Sequence, residues 1–433
     1  MEDPRRRVPR TDAVLADAAV AAAAGRLGRD RVKTVVVEVL GACRTGEVTP
    51  EGVVAEVLAC LPHAPTSMRR VVNATGVVVH TNLGRAPLSD AAVEAVTIAA
   101  GATDVELDLA TGRRGRRGTA TLDALRRAVP AAGDVHVVNN GAAALALVAR
   151  ALAPDHEVVV ARGELVEIGD GFRIPELVES VGARLREVGT TNRVHLSDYA
   201  DALGERTAFV LKVHPSNFRV EGFTSSVPVS ELATLGPPVV ADIGSGLLAP
   251  HPRLPDEPDA DSTLRAGAAL VTASGDKLLG GPQCGLLLGE ADLVHRLRRP
   301  PMARALRVDK LTLAALEATL SGPPTPVAQA LDRRPEALLA RARRIAVAVG
   351  SGLARAVESQ GRVGGGGAPG VPLPSAAVAL PHRFAEPLRL GEPPVVGHVH
   401  DGHLLLDLLT VPEEADDLLV EAVRRVAEAD RTA

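Results

Sequence analysis

The chain has 433 residues, 46% of them hydrophobic and 23% charged, with a formal net charge of −5. That length exceeds one compact core and predicts two or three domains. No run of about 18 apolar residues offers a membrane-spanning helix, and the mildly acidic balance leaves nucleic-acid contact to local basic patches. Aromatic residues make up only 1%, so the core must be built from Ala, Val and Leu. The first ten residues (MEDPRRRVPR) lack the apolar centre of a signal peptide, and the chain reads as cytoplasmic. Three cysteines, Cys43, Cys60 and Cys284, have no close metal-ligand spacing and read as reduced thiols.

Residues 1–66 read as a separate helical module. Residues 12–26 and 31–42 carry helical apolar spacing, and 50–59 open a third helix with Pro50 and Glu51 at its start. Arg5, Arg6, Arg7, Arg10, Arg26, Arg29, Arg31 and Lys33 cluster here. Such a run is either a solvated face or a phosphate-contacting surface. Residues 61–67 (LPHAPTS) read as a linker.

Residues 69–88 pack small polar groups and Arg85 between short apolar pieces, a composition common in loops that line ligand sites. Ser89 caps a helix expected to run to about residue 100. Residues 108–118 (DLATGRRGRRG) form a basic, glycine-rich loop that suits either a surface turn or an element closing over anions. From Asp134 strand and helix alternate. Short apolar strands are predicted at 135–138, 157–161, 185–188, 207–213, 238–243, 268–273 and 284–288, with helices between several of them. Alternation of this kind argues an α/β fold with a mostly parallel sheet covered on both faces. After the first strand, Asn139, Asn140, Gly141 and Ala142 turn directly into a helix. Its free N–H groups, unscreened by bulky side chains, make a phosphate seat as well as an ordinary turn.

The chain is organised around residues 273–285 (ASGDKLLGGPQCG), with Lys277 at the centre. It is one of four lysines, with Lys33, Lys212 and Lys310. A lysine at the lip of a buried strand has a desolvated amine, which lowers its pKa and makes it nucleophilic. A Schiff base with an aldehyde cofactor needs such an amine, although the stretch alone also suits a surface lysine in a glycine-rich loop. Asp242 ends the strand PPVVAD, where carboxylates of α/β sheets face the ligand crevice. A buried acid there would keep a pyridine nitrogen protonated, as pyridoxal phosphate needs to act as an electron sink.

Residues 311–320 and 337–358 read as helices, and 361–370 (GRVGGGGAPG) as a flexible low-complexity segment. Residues 376–380, 398–409 and 413–429 complete a small α+β domain from strands and a closing helix. His398, His400 and His403 have no acidic or cysteine partner beside them, so no metal site is predicted. The domain expectation is therefore 1–66, 67–310 and 311–433.

Residues 70–88, 139–144, 162–175 (RGELVEIGDGFRIP), 189–193 (GTTNR), 212–224 (KVHPSNFRVEGFT), 242–247 (DIGSGL) and 274–285 together resemble bacterial selenocysteine synthase. That is the L-seryl-tRNA(Sec) selenium transferase family, within the aspartate-aminotransferase superfamily. The resemblance implies a fold-type-I pyridoxal-phosphate enzyme, with Lys277 as the Schiff-base lysine and Asp242 as the partner of the pyridine nitrogen. It places Asn140, Gly141, Ala142 and Ser274 at the cofactor phosphate, and His214 and Asn217 at the ring oxygen. Arg85, Arg304 and Arg307 would hold selenophosphate, an anion suited to the planar guanidinium fork. The helical module would bind the tRNA. The assembly implied is a ring built from dimers, a decamer being one candidate size, with active sites at dimer interfaces. Residues 361–370 depart from the family pattern.

On this reading the serine of seryl-tRNA(Sec) loses hydroxide and takes selenium from selenophosphate at its β-carbon, with Lys277 as base. The chief rival is a pyridoxal-phosphate lyase or ammonia-lyase acting on a small amino acid or sugar acid, which needs no tRNA.

Overall fold

The computed structural model describes residues 7–169, 171–350 and 352–432, so Arg5 and Arg6 of the basic cluster lie outside the described residues. The chain forms two compact units, Met1–Val71 with Glu392–Pro394, and Val72–Gly391 with Val395–Ala433.

The first unit is helical. Its helices are α1 (Thr11–Leu15), α2 (Ala18–Leu27), α3 (Arg29–Thr45) and α4 (Val53–Cys60). The single helix expected over 12–26 is two, because Asp17 leaves helical geometry and its carboxylate accepts from the Ala19 and Val20 amides to cap α2. Val20, Val32, Val36, Leu40, Val53 and Val57 are fully buried between the helices. Arg26 and Arg31 donate to the carbonyls of His63 and Pro65 at 2.6 and 3.0 Å, so these two arginines fasten the segment after α4 while staying exposed.

After a two-residue strand at Val72–Asn73, the second unit has β1 (Val77–Val79), then α5 (Asp90–Ala100), capped by Ser89 as expected, and α6 (Thr119–Ala128). Then come β2 (Asp134–Val138), α7 (Gly141–Leu152), β3 (Glu157–Ala161), β4 (Arg184–Val188), β5 (Thr207–Val213), β6 (Val239–Gly244), β7 (Leu270–Ser274) and β8 (Gly285–Gly289). These seven strands, β2 to β8, form one sheet in the order β2-β8-β7-β6-β5-β3-β4. Only β8 runs against its neighbours. Every residue of β7 and β8 is buried, which is why these strands read as continuous apolar runs rather than alternating ones. Helix α7 packs on one face through Ala144, Leu145, Leu147 and Val148. On the other face α6 packs with α8 (Lys310–Ser321) through Leu122, Leu125, Leu313 and Leu316. The 310/311 boundary drawn from sequence thus falls after the first residue of a helix that packs with the large sheet.

Helix α9 (Pro335–Val349) is followed by β9 (Arg355–Gly364), β10 (Pro372–Pro381), β11 (His398–His400), β12 (His403–Asp407) and α10 (Asp416–Thr432). Two expectations are corrected here. The helix expected over 337–358 stops at Val349, where Gly350 takes φ 125° and begins a turn into β9. Residues 361–370 are not a loose insert. Their first four residues belong to β9, which pairs with β10 and, through Arg362 and Gly364, with Val77 and Val79 of β1. No group of three or more potential metal ligands occurs among the described residues. Nor is any helix among them long and apolar enough to cross a membrane.

Asp407, fully buried at the end of β12, ties β1 to this second sheet. Its carboxylate accepts from Ser359 and Ser375 hydroxyls at 2.7 and 2.6 Å and from the Leu409 amide at 2.9 Å. Gly76 packs so closely that a Cβ there would lie 2.7 Å from the Asp407 carboxyl carbon. Asp407→Ala should destabilise the protein by about 3 kcal/mol, the size of a buried charged hydrogen-bond group lost. Urea unfolding checks this: an unchanged midpoint contradicts the role given to Asp407.

Candidate active site

The carboxyl ends of β5, β6 and β7 and the start of α7 enclose one cleft of about 440 Å³. Parallel strands leave their crevice at this edge. Nine of the eleven residues singled out from sequence line it: Arg85, Asn140, Gly141, Ala142, His214, Asn217, Asp242, Ser274 and Lys277.

Lys277 sits in the turn that follows β7. Burial holds its amine below the ordinary lysine pKa, with the negative charges of Asp242 and Asp276 opposing. Asp242 lies on β6, where it pairs in register with Thr272 of β7. Burial pushes its carboxyl above the usual range, while the Thr272 hydroxyl, 2.9 Å from Oδ1, and Lys277 pull the other way. A carboxylate kept poorly solvated at the wall of a cleft is complementary to a cation. The protonated ring nitrogen of pyridoxal phosphate is such a cation, and its aldehyde suits a neutral amine.

The same cleft also holds groups that suit an anion. The Asn140 side chain accepts from the Ala143 amide at 2.7 Å and caps α7, a helix of twelve residues. Gly141 and Ala142 therefore place their amides at its positive end. A Cβ on Gly141 would come 2.7 Å from Ser274 Oγ, so glycine is what lets the serine hydroxyl reach the helix start. Asn217 donates from Nδ2 to the Glu167 carbonyl at 2.9 Å, which fixes it at the rim. The His214 amide donates to the Asp242 carbonyl at 2.9 Å, locking the ends of β5 and β6 together. By their chemistry these residues suit pyridoxal phosphate: an amine for its aldehyde, a buried acid for its ring nitrogen and a helix start for its phosphate.

Arg85 adopts φ 65° and pairs through Nη1 with Asp276 Oδ2 at 2.6 Å. Its side chain stays 42% exposed, which leaves guanidinium edge for a second anion. Arg304 and Arg307 are not brought to Lys277 within this chain. They line a separate cavity of about 310 Å³ with Arg116, Arg117 and Arg298. His136, which also lines it, has its pKa pushed down to about 4 by burial first and then by the Arg298 charge, with Asp134 opposing.

Sequence reasoning missed the glycine turn over the lysine. Gly365 and Gly366 line the cleft, and a Cβ on Gly366 would lie 2.6 Å from Lys277 Nζ. The Gly365 amide donates to the Val79 carbonyl at 2.8 Å. Four consecutive glycines look the same in a sequence whether they form a linker or a strap, and only their pairing with β1 tells them apart. Asp276 and Gln283 were also missed as lining residues, whereas Thr81 belongs to the small polar groups of residues 69–88 expected to line a ligand site. Asp276 was legible, since it stands beside Lys277 within the quoted motif.

Comparison with known proteins adds to this geometry. The family described as L-seryl-tRNA selenium transferase matches residues 71–412, and that described as selenocysteine synthase N terminal matches residues 5–44. An L-seryl-tRNA(Sec) selenium transferase from Solidesulfovibrio magneticus is 45% identical over 389 residues, 83% of this chain and 82% of that protein. Another, from Hyphomonas neptunium, is 40% identical over 458 residues, 98% of each chain. Among solved structures, a D-glucosaminate-6-phosphate ammonia-lyase superposes with a TM-score of 0.58 at 20% identity, covering 84% of this chain and 96% of its own. That likeness is one of fold.

Burial lowers the Lys277 pKa, so the neutral amine is populated at lower pH than in free lysine. The rate at which the apoprotein captures pyridoxal phosphate should rise through a midpoint below about 10.4, the unperturbed value. Stopped-flow absorbance against pH measures it, and a midpoint at or above that value contradicts the desolvated amine.

Proposed function

Because the chain belongs to the L-seryl-tRNA(Sec) selenium transferase family, we propose that it converts L-seryl-tRNA(Sec) to L-selenocysteinyl-tRNA(Sec). The seryl β-hydroxyl leaves as hydroxide, selenium from selenophosphate takes its place on the β-carbon, and the P–Se bond breaks as water adds to phosphorus and phosphate leaves. Pyridoxal phosphate supplies an aldehyde that captures amines and a protonated ring that accepts the electrons released at Cα. What carries this reading is the meeting of a desolvated lysine, a buried carboxylate and a helix N-terminus around one cleft, in a chain 40–45% identical to such transferases.

The residues divide the work by their chemistry. Lys277 holds the cofactor through Nζ in the resting enzyme, and its amine, once free, takes the proton from the seryl Cα. Asp242 keeps a proton on the ring nitrogen by facing it with a buried negative charge. Asn140, Gly141, Ala142 and Ser274 bind the phosphate at the start of α7. His214 and Asn217 contact the ring oxygen. Arg85 offers its free guanidinium edge to selenophosphate.

Arg304 and Arg307 complete that grip from a second copy of the chain. Their place in a separate arginine-lined cavity supports this reading, and so does the ring built from dimers that the family resemblance implies. The helical module receives the tRNA through exposed Arg10, Arg29 and Lys33. A cytoplasmic setting suits an enzyme whose substrate is an aminoacyl-tRNA. The ammonia-lyase alternative draws only on a shared fold at 20% identity and is not favoured.

Incubation of the purified protein with seryl-tRNA(Sec) and selenophosphate, followed by analysis of the released amino acid, tests the reaction. Selenocysteine is expected from the parent and none from Lys277→Ala, which should also lose the yellow colour of the bound cofactor. A Lys277→Ala protein that keeps both ends the assignment. Sites shared between copies predict more. Mixing Lys277→Ala with Arg307→Ala under conditions of subunit exchange should restore roughly a quarter of the parental activity, since half the random dimers carry one intact site of two. Mixtures no more active than their parts contradict a shared site.

A further inference from the structure

Glu257 is a buried carboxylate that the reaction scheme leaves unused. It stands on the segment between β6 and β7, with its side chain 1% exposed. Its Oε2 accepts from the Ala368 amide at 2.6 Å and lies 3.2 Å from His214 Nε2. Its Oε1 has no hydrogen-bond partner among the described residues. Burying a carboxylate oxygen without a partner is unfavourable, so Glu257 is held here by what its other oxygen does.

Each of its two partners belongs to the cleft. Ala368 closes the strap formed by Gly365, Gly366 and Gly367, and has φ 43°, a conformation that costs a residue with a Cβ. The strap has no side chains of its own with which to hold position. It rests on Thr81, Lys277, Leu278 and Ser245, each close enough that a Cβ on the facing glycine would lie within 3.4 Å. His214 is the other partner. A carboxylate oxygen and an imidazole nitrogen at 3.2 Å need a proton between them, which makes Nε2 the donor and leaves only Nδ1 for a ligand in the cleft. Glu257 also lies near enough to Lys277 for its charge to favour the protonated amine.

Resting on the cofactor site assigned above, we propose that Glu257 is a positioning residue: one carboxylate oxygen fastens the Gly365–Gly367 strap over Lys277 and fixes the imidazole of His214 as an Nε2–H donor. The strap and the imidazole are thereby set by a single group, so the lysine amine and the ring-oxygen contact are aligned together. The positions are 111 and 43 residues from Glu257 in the chain, a separation that hides the link from sequence.

The test uses the full-length protein loaded with pyridoxal phosphate. Hydrogen exchange is read at the amides of Gly365 to Ala368, and steady-state kinetics with seryl-tRNA(Sec) and selenophosphate. Glu257→Ala should raise strap exchange about ten-fold. It should also lower kcat about ten-fold or more, the effect of losing a hydrogen bond to a charged group, with KM for the tRNA within about two-fold. Glu257→Gln keeps an oxygen that accepts from both donors, and should restore strap protection and most of kcat. If the alanine variant does not fold, Glu257→Asp, with the same charge and one methylene less reach, should show the loosened strap and lowered kcat instead. Parental exchange and kcat in alanine or aspartate overturn the proposal, as does a glutamine variant no better than alanine. A parent protein that makes no selenocysteine defeats the proposed function, while the exchange measurement on the strap still judges Glu257 independently.

Discussion

Everything at the cleft depends on keeping one amine poorly solvated. A lysine in water is protonated near neutral pH and does not attack an aldehyde. Taking it into a low-dielectric site shifts the balance toward the neutral form, and nearby carboxylates shift it back. Here burial outweighs Asp242 and Asp276. The same burial leaves Asp242 short of positive charge, so both groups improve their surroundings when an aldehyde with a protonatable ring lies between them. On the proposed reading, the cofactor would answer both shifts at once, offering an aldehyde to the amine and a protonated ring to the carboxylate.

The sheet makes that placement inexpensive. Asp242 lies within β6 and Lys277 in the turn after its parallel neighbour β7, every residue of which is buried, so neither position depends on a long mobile loop. The anion seat at α7 is the beginning of a helix that the sheet already needs for cover. Where close approach matters, the chain spends glycine: Gly141 against Ser274, and Gly366 against Lys277. The cost is conformational freedom in the unfolded chain, offset locally by the pairing of β9 with β1 and by hydrogen bonds such as that from the Gly365 amide.

Much of this was legible in the sequence because the signals were local. The alternation of apolar strands and helices predicted the parallel sheet, and the helix after Asn140 runs over Gly141–Leu152 with the asparagine as its cap. Lys277 and Asp242 stood out by residue type and by position at strand ends. What escaped was set by contacts distant in sequence. Residues 355–358 carry an Ala-Val pattern that continues the preceding helical period, and only pairing with β10 makes them a strand. Residues 361–364 gain order from Val77–Val79, almost three hundred positions earlier. Arg304 and Arg307 were assigned to an anion by resemblance, and one chain alone places them in another cavity. Glu257 has no motif at all, being an acid among prolines and aspartates until the fold buries it against His214.

The scarcity of lysine makes the central claim open to one direct measurement. The chain has Lys33, Lys212, Lys277 and Lys310 and no others. Borohydride reduction of the cofactor-loaded protein fixes any imine as a stable secondary amine, and peptide mapping by mass spectrometry then locates it. A single modified peptide bearing the pyridoxyl group on Lys277 is the expected result. Modification at Lys33, Lys212 or Lys310 with Lys277 left free, or no fixed cofactor at all, would contradict the account.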